Sequence, residues 1–283
     1  MEHHFFSNPA VHIDKVVLQV KDITRSLEFY TAVLGLKVQE ENPEAVELSA
    51  DGVHSILSIR TNNEIVSKDE HAAGLYHFAI LLPERSDLGR LLAHLMKEGI
   101  QPGGADHLVS EALYFEDPDG NGIEVYHDRP SAKWSWKDGR VGMTTEPLDA
   151  GSLLSERHGH WSGMPEKARI GHIHLHVSNL DDARTFYVEG LGFQVVADSI
   201  PQALFLSDCG YHHHIGLNTW KGEGAPAPSS TSTGLHYFDL VLPGRSAVDE
   251  TTERLHALGY RSTGKDTPMF LDPSGNRVRL VTN

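Results

Sequence analysis

The chain has 283 residues, room for two domains with real cores, and its net charge of −15 argues against the basic face that nucleic-acid binding needs. No apolar run is long enough to span a membrane, and the opening residues 1–6 lack a basic, then apolar leader, so neither membrane nor nucleic acid is expected as a partner. The single cysteine, Cys209, cannot form an internal disulfide, which fits a reducing compartment and a cytoplasmic location.

In chain order, the alternating segment Lys15–Val20 predicts a strand, Thr24–Leu34 an amphipathic helix, and Gly35 a turn. Strands follow around Lys37–Gln39, Ala45–Ser49 and Ser55–Arg60, so the first module reads as βαβββ. The strand-opening pattern returns at His77–Leu82, His172–Val177 and Tyr237–Leu242. The second copy closes with strands Ala112–Phe115 and Ile123–His127. The third has a helix over Asp181–Glu189 and a last strand near His214–Thr219. The second and fourth copies both end in Asp-Pro-x-Gly-Asn, at Asp117–Asn121 and Asp272–Asn276, a turn signature with no chemistry of its own. The first-to-third spacing nearly equals the second-to-fourth spacing, which marks a duplicated pair of modules. The expected fold is therefore α+β, four βαβββ modules forming two half-barrel domains. Its boundaries are 1–128 for modules one and two, 129–169 for a connector whose tryptophans pack, and 170–283 for modules three and four. A loop rich in Pro, Ser and Thr, from Gly222 to Gly234, reads as a mobile loop or lid.

Strand parity then selects inward residues, because alternate side chains point to opposite faces. Ile173, Leu175 and Val177 form a helix-side face, leaving His172, His174 and His176 in the concavity. By the same count His77, Ala79, Tyr114, Glu124, His214, Gly216 and Asn218 face inward, with Gly216 and Ala79 leaving space for a ring. A single inward histidine is most often a satisfied cavity residue. His77 and His172 at equivalent positions, with Glu124 on a neighbouring strand, match two imidazoles and a carboxylate around one metal ion with open positions left over. Modules one and four carry Lys15, Tyr237 and Arg279 at these positions, with Asp239 also inward, residues suited to an ion-paired plug. The ligands thus lie in modules two and three, which must share one barrel.

Four segments carry a family resemblance: Gly171–Val177, Tyr211–Trp220, Gly74–Pro83 and Ala112–Tyr126. Over roughly residues 12–128 and 170–283 the chain resembles the vicinal oxygen chelate superfamily, and within it the extradiol ring-cleaving dioxygenases of the catechol 2,3-dioxygenase type. The resemblance implies His77, Glu124 and His172 as ligands of Fe(II), with Mn(II) as the alternative ion. It implies His214 as the acid–base residue, Tyr114 as hydrogen-bond donor to a catecholate oxygen and His107 as a further site histidine. Substrates would be a catechol and O2, and the product of a 2-hydroxymuconic semialdehyde type. A homo-oligomer is expected for this fold. His213 exchanges roles with His214 if the strand register shifts by one residue. Alternatives are a hydroquinone-cleaving dioxygenase, another metal-dependent glyoxalase-like enzyme, and a non-catalytic binding protein of the same fold. A glyoxalase site is disfavoured because it uses a second inward glutamate where His214 stands.

Overall fold

A computed structural model describes residues 2–264 and 266–282. Module one comprises β1 (His12–Gln19), α1 (Ile23–Ala32), β2 (Lys37–Asn42), β3 (Ala45–Ser49) and β4 (Ser55–Arg60). Module two comprises β5 (Gly74–Leu81), α2 (Arg85–Lys97), β6 (Gly103–Asp106), β7 (Ser110–Glu116) and β8 (Gly122–Asp128). The connector adds β9 (Trp136–Lys137), β10 (Arg140–Val141), β11 (Glu146–Pro147) and α3 (Ala150–Glu156). Module three comprises β12 (Arg169–His176), α4 (Leu180–Arg184), β13 (Gln194–Ala197), β14 (Ala203–Ser207) and β15 (Ile215–Asn218). Module four comprises β16 (Gly234–Leu242), α5 (Arg245–Ala257), β17 (Ser262–Thr263), β18 (Met269–Leu271) and β19 (Arg277–Thr282). The helix expected over Asp181–Glu189 starts at the Asn179 cap, whose side chain accepts from the Asp181 and Asp182 amides, and its second half widens into π geometry over Thr185–Gly190.

The modules do not pair in sequence order. One sheet runs β17-β18-β19-β16-β1-β4-β3-β2, joining module four to module one, and the other runs β11-β6-β7-β8-β5-β12-β15-β14-β13, joining module two to module three. The central seam of the second sheet is β5 against β12, antiparallel, with Ala79 opposite His172 and His77 opposite His174. On its other side β5 runs parallel to β8, with Ala79 opposite Glu124. Partners in register share a face. His172, Ala79 and Glu124 therefore stand in one row across three strands, with the smallest side chain in the middle.

The helix-side faces behave as their period-2 pattern predicts. Phe78, Ile80 and Leu82 of module two and Ile173, Leu175 and Val177 of module three are fully buried in a core that also takes in Val16, Leu18, Phe238 and Leu240 of the other sheet. Each such side chain contributes about 1.5–3 kcal/mol of burial. A second cluster lines the concave side, where Phe5, Phe6 and Trp134 pack on Tyr126 and Tyr211. So the connector packs through Trp134, and the N-terminal segment packs through Phe5 and Phe6.

The Asp-Pro turns tie modules together. Asp117 accepts from the Asp119 and Asn121 amides, from Asn121 Nδ2 and, at 2.8 Å, from the Tyr30 hydroxyl of α1. Asp272 does the same with Ser274, Asn276 and the Tyr187 hydroxyl at 3.0 Å. Each turn thereby fastens one module to the helix of its sequence neighbour, which lies on the other sheet. The Gly222–Gly234 loop is also fastened: Ala73 donates to Pro226 O, Val66 to Thr231 O, and the Gln19 side chain to Ser230 and Ser232 O.

Candidate metal centre and its pocket

Three strands deliver three ligand-type side chains to one point: His77 from β5, Glu124 from β8 and His172 from β12. All are buried. Glu124 Oε2 lies 3.0 Å from His77 Nε2 and 3.1 Å from His172 Nε2. The His77 contact is close but misdirected, and that nitrogen is a buried polar atom with no hydrogen-bond partner among the described residues. Two donors at right angles, each about 2.1 Å from one ion, would stand about 3.0 Å apart. The crowding that fails as hydrogen bonding therefore fits a shared cation, and an N2O donor set on one side suits a divalent ion with open positions opposite. Burial alone would raise the Glu124 pKa, but the His172 and His77 imidazoles hold it well below the usual carboxylate range. Burial pushes His172 down to about 4, against the pull of Glu124, which keeps its lone pair available at neutral pH.

One wall of the site is Tyr114 with His107. The Tyr114 hydroxyl is 2.6 Å from His107 Nε2, and His107 Nδ1 is 2.7 Å from Thr144 O. A carbonyl only accepts, so His107 donates from Nδ1 and Tyr114 donates to Nε2. Burial and the Glu124 carboxylate raise the Tyr114 pKa well above its ordinary value, so it remains a phenol. The two residues expected at the site are thus in contact with each other, and Tyr114 packs on His77 at 5.6 Å between ring centroids.

His214 does not take the position expected of it. Its Nε2 donates to Phe5 O at 3.0 Å and its Nδ1 accepts from the Asp208 amide at 3.3 Å, so both nitrogens are committed. It packs against Phe6 and Tyr211, and burial pushes its pKa down to about 3. The physical reason is local: the ladder continues to His214, whose amide donates to Leu206 O at 2.8 Å, and the residue faces the concave side as parity expects, but there it lies against the N-terminal Phe5 and Phe6. His213 stands at the site instead, its ring centroid 4.1 Å from that of His172 and 5.1 Å from that of Phe205. Behind it, His212 Nδ1 lies 2.8 Å from His213 Nδ1, and His212 Nε2 lies 2.8 Å from Asp128 Oδ1. Neither His212 nor Asp128 is singled out by strand parity, since they meet only through the fold.

Gly216 also differs from expectation. A Cβ there would come within 2.8 Å of the His174 ring, so the missing side chain accommodates His174 and not a substrate. His174 Nε2 accepts from Asn218 Nδ2 at 2.9 Å, and Asn218 Oδ1 accepts from His176 Nδ1 at 2.7 Å. In the other sheet the corresponding positions hold charges. Arg279 makes a two-pronged pair with Asp239, both contacts 2.6 Å, and lies over Tyr237 at 4.6 Å, while Lys15 pairs with Glu47 at 2.5 Å. Among the described residues, His77, Glu124 and His172 form the one group of metal-ligating side chains close enough to share an ion.

A cavity of about 630 Å³ opens onto the site through His77 and Tyr114 and is lined further by Tyr76, Asn121, His176 and Trp220. Tyr76 and Trp220 meet edge to face at 5.3 Å, giving the cavity aromatic walls that the parity reading did not foresee. Its volume is in the range typical of small-molecule sites. Ser232, Thr233 and Gly234 of the fastened loop border its mouth.

Comparisons with known proteins give the family and the fold. The family model described as Glyoxalase/Bleomycin resistance protein/Dioxygenase superfamily matches residues 12–125 and 169–280. The catechol-2,3-dioxygenase of Bacillus subtilis (strain 168) is 44% identical over 253 residues, 88% of this chain and 89% of that protein. Among solved structures, a protein of Bacillus subtilis subsp. subtilis str. 168, provisionally named a dioxygenase, superposes with a TM-score of 0.70 at 12% identity, covering 96% of this chain and 84% of that one. Glyoxalase I from Zea mays superposes with a TM-score of 0.59 at 15% identity, covering 96% and 92%. At such identities these two likenesses bear on the fold alone.

Proposed function

The chain belongs to the glyoxalase/bleomycin resistance protein/dioxygenase superfamily, and from that premise we propose that it is an extradiol ring-cleaving dioxygenase of the catechol 2,3-dioxygenase type that uses Fe(II). The observation that carries the reading is the convergence of His77, Glu124 and His172 on one point beside an aromatic-walled cavity, in a chain 44% identical to a catechol-2,3-dioxygenase.

His77, Glu124 and His172 would hold the ion. Bound there, iron would supply Lewis-acid chemistry toward a catechol and redox chemistry toward O2. The remaining chemistry belongs to side chains. His213, next to His172, accepts the proton of a catechol hydroxyl and returns it later, the task of an imidazole with a free lone pair. Tyr114 remains a neutral phenol whose O–H donates to His107 Nε2, and a substrate oxygen arriving beside it competes for that hydrogen bond. Tyr76 and Trp220 offer the substrate ring an aromatic wall. O2 and catechol together balance as a 2-hydroxymuconic semialdehyde-type product, both oxygen atoms entering the cleaved ring.

The test is oxygen uptake by the reduced, Fe(II)-loaded protein on addition of catechol, with the ring-fission product identified. Uptake in a one-to-one ratio with product supports the reading. Protein that holds one iron per chain yet is inert to a panel of catechols and hydroquinones sinks it.

A further inference from the structure

The hydrogen bonds behind His213 run in one direction. Asp128 Oδ1 is 2.8 Å from His212 Nε2, and a carboxylate only accepts, so His212 carries hydrogen on Nε2. With one proton on each ring, the Nδ1 of His212 is bare and lies 2.8 Å from His213 Nδ1, which then donates to it. The Nε2 of His213, which has no hydrogen-bond partner among the described residues, keeps its lone pair in that arrangement. The chain is held at its Asp128 end and at its middle. The Tyr211 hydroxyl donates to Asp128 Oδ2 at 3.0 Å and lies 2.6 Å from the Tyr126 hydroxyl. The His212 ring is wholly buried, with Tyr211 at 4.1 Å and Trp134 at 5.1 Å between centroids.

We propose that Asp128 and His212 are positioning residues: together they fix His213 in the Nδ1–H tautomer, so that the nitrogen left to take a substrate proton is Nε2. The role rests on the dioxygenase reading above, while the tautomer itself can be observed without turnover. Asp128 and His212 lie 84 residues apart in sequence, and neither is a ligand nor touches the cavity. Their arrangement repeats the logic of a carboxylate orienting a histidine through its hydrogen bond, extended by one imidazole. The Tyr114 wall is wired by the same rule, since Thr144 O fixes His107 as an Nδ1 donor.

Two measurements decide it. In metal-free protein labelled with ¹⁵N-histidine, long-range ¹H–¹⁵N correlation at neutral pH should show His212 protonated on Nε2 only and His213 on Nδ1 only, assigned by their loss in His212→Asn and His213→Gln. A His213 protonated on Nε2 would overturn the proposal. In the Fe(II)-loaded enzyme, His212→Phe removes the acceptor while keeping a ring in place. It should lower kcat about 100-fold, the scale of a lost acid–base contribution, and leave KM for catechol and iron content unchanged. His212→Asn, whose side-chain carbonyl can stand where Nδ1 stood, should recover most of the loss. Unchanged kcat in His212→Phe, or equal loss in both variants, would overturn the positioning role. An inactive wild type would sink the dioxygenase reading and leave the tautomer measurement to decide the hydrogen-bond chain.

Discussion

At the scale of single residues the chemistry is concentrated in a few positions. His77→Ala removes one of three donors and should abolish stoichiometric iron binding. Lys15→Ala, at the equivalent position of module one, should leave it intact. Metal analysis after desalting reads both, and the reverse pattern would mean that the wrong pair of modules had been chosen. Ala79 makes a subtler contribution. It stands in register between His172 and Glu124, which approach to 3.1 Å across it. Ala79→Leu should drive the two ligands apart and weaken metal affinity by about 10- to 100-fold, the range seen when the support of metal ligands is disturbed, measurable by competition with a chelator. Unaltered affinity would show that the row is not tight.

Much of this was legible from residue order because period 2 assigns a face to every strand residue. His77, His172, Glu124 and Tyr114 all follow from parity within strands that the structure retains. Parity gave a face but not the neighbours on it. Three consecutive histidines precede the strand at Ile215, so counting back chose His214, and the N-terminal segment took up that residue through Phe5 O. Asp128 and His212 were not visible at all, since a hydrogen bond between distant segments leaves no periodic trace. The blockage of the space at Gly216 by His174 was hidden for the same reason.

At the scale of elements, close approach and buried bonds set what each strand and turn tolerates. Gly171, just before the proposed ligand His172, faces Tyr126: a Cβ would come within 1.8 Å of its hydroxyl oxygen. Tyr126 packs on His172 at 4.8 Å. Gly171→Ala should therefore displace Tyr126, destabilise the fold by about 1–3 kcal/mol as overpacking does, and reduce iron retention together with stability. The Asp-Pro turns make a second test. Tyr30→Phe leaves one lone pair of the Asp117 carboxylate buried without its phenol donor, at a cost of about 1–3 kcal/mol. Urea denaturation should show the loss in the midpoint with an unchanged slope. The motif in sequence identified the turn, but its partner, a tyrosine on the helix of another module, appears only once the modules are packed.

At the scale of the whole molecule, pairing across the sequence halves makes one sheet a site and the other its counterpart filled with ion pairs. The buried histidines also give stability a definite pH dependence. His214 is neutral in the fold, its pKa pushed down to about 3 by burial, whereas the unfolded chain returns it to about 6.5. Between those values only the unfolded state binds the extra proton. Its contribution is therefore complete above about pH 6.5 and is lost progressively as pH falls toward 3, the loss at pH 5 being about 2 kcal/mol. His172, pushed to about 4, acts in the same sense in metal-free protein. Urea unfolding of the metal-free chain should show lower stability at pH 5 than at pH 7, and equal stability would contradict the neutral, buried assignment.

The most direct measurement is a crystal of the Fe(II)-loaded protein with anomalous diffraction recorded at the iron edge. The account predicts one peak per chain, within bonding distance of His77 Nε2, Glu124 and His172 Nε2, with His213 and Tyr114 beside it. A peak in the sheet of modules one and four, or no ordered iron in protein that cleaves catechol, would contradict it.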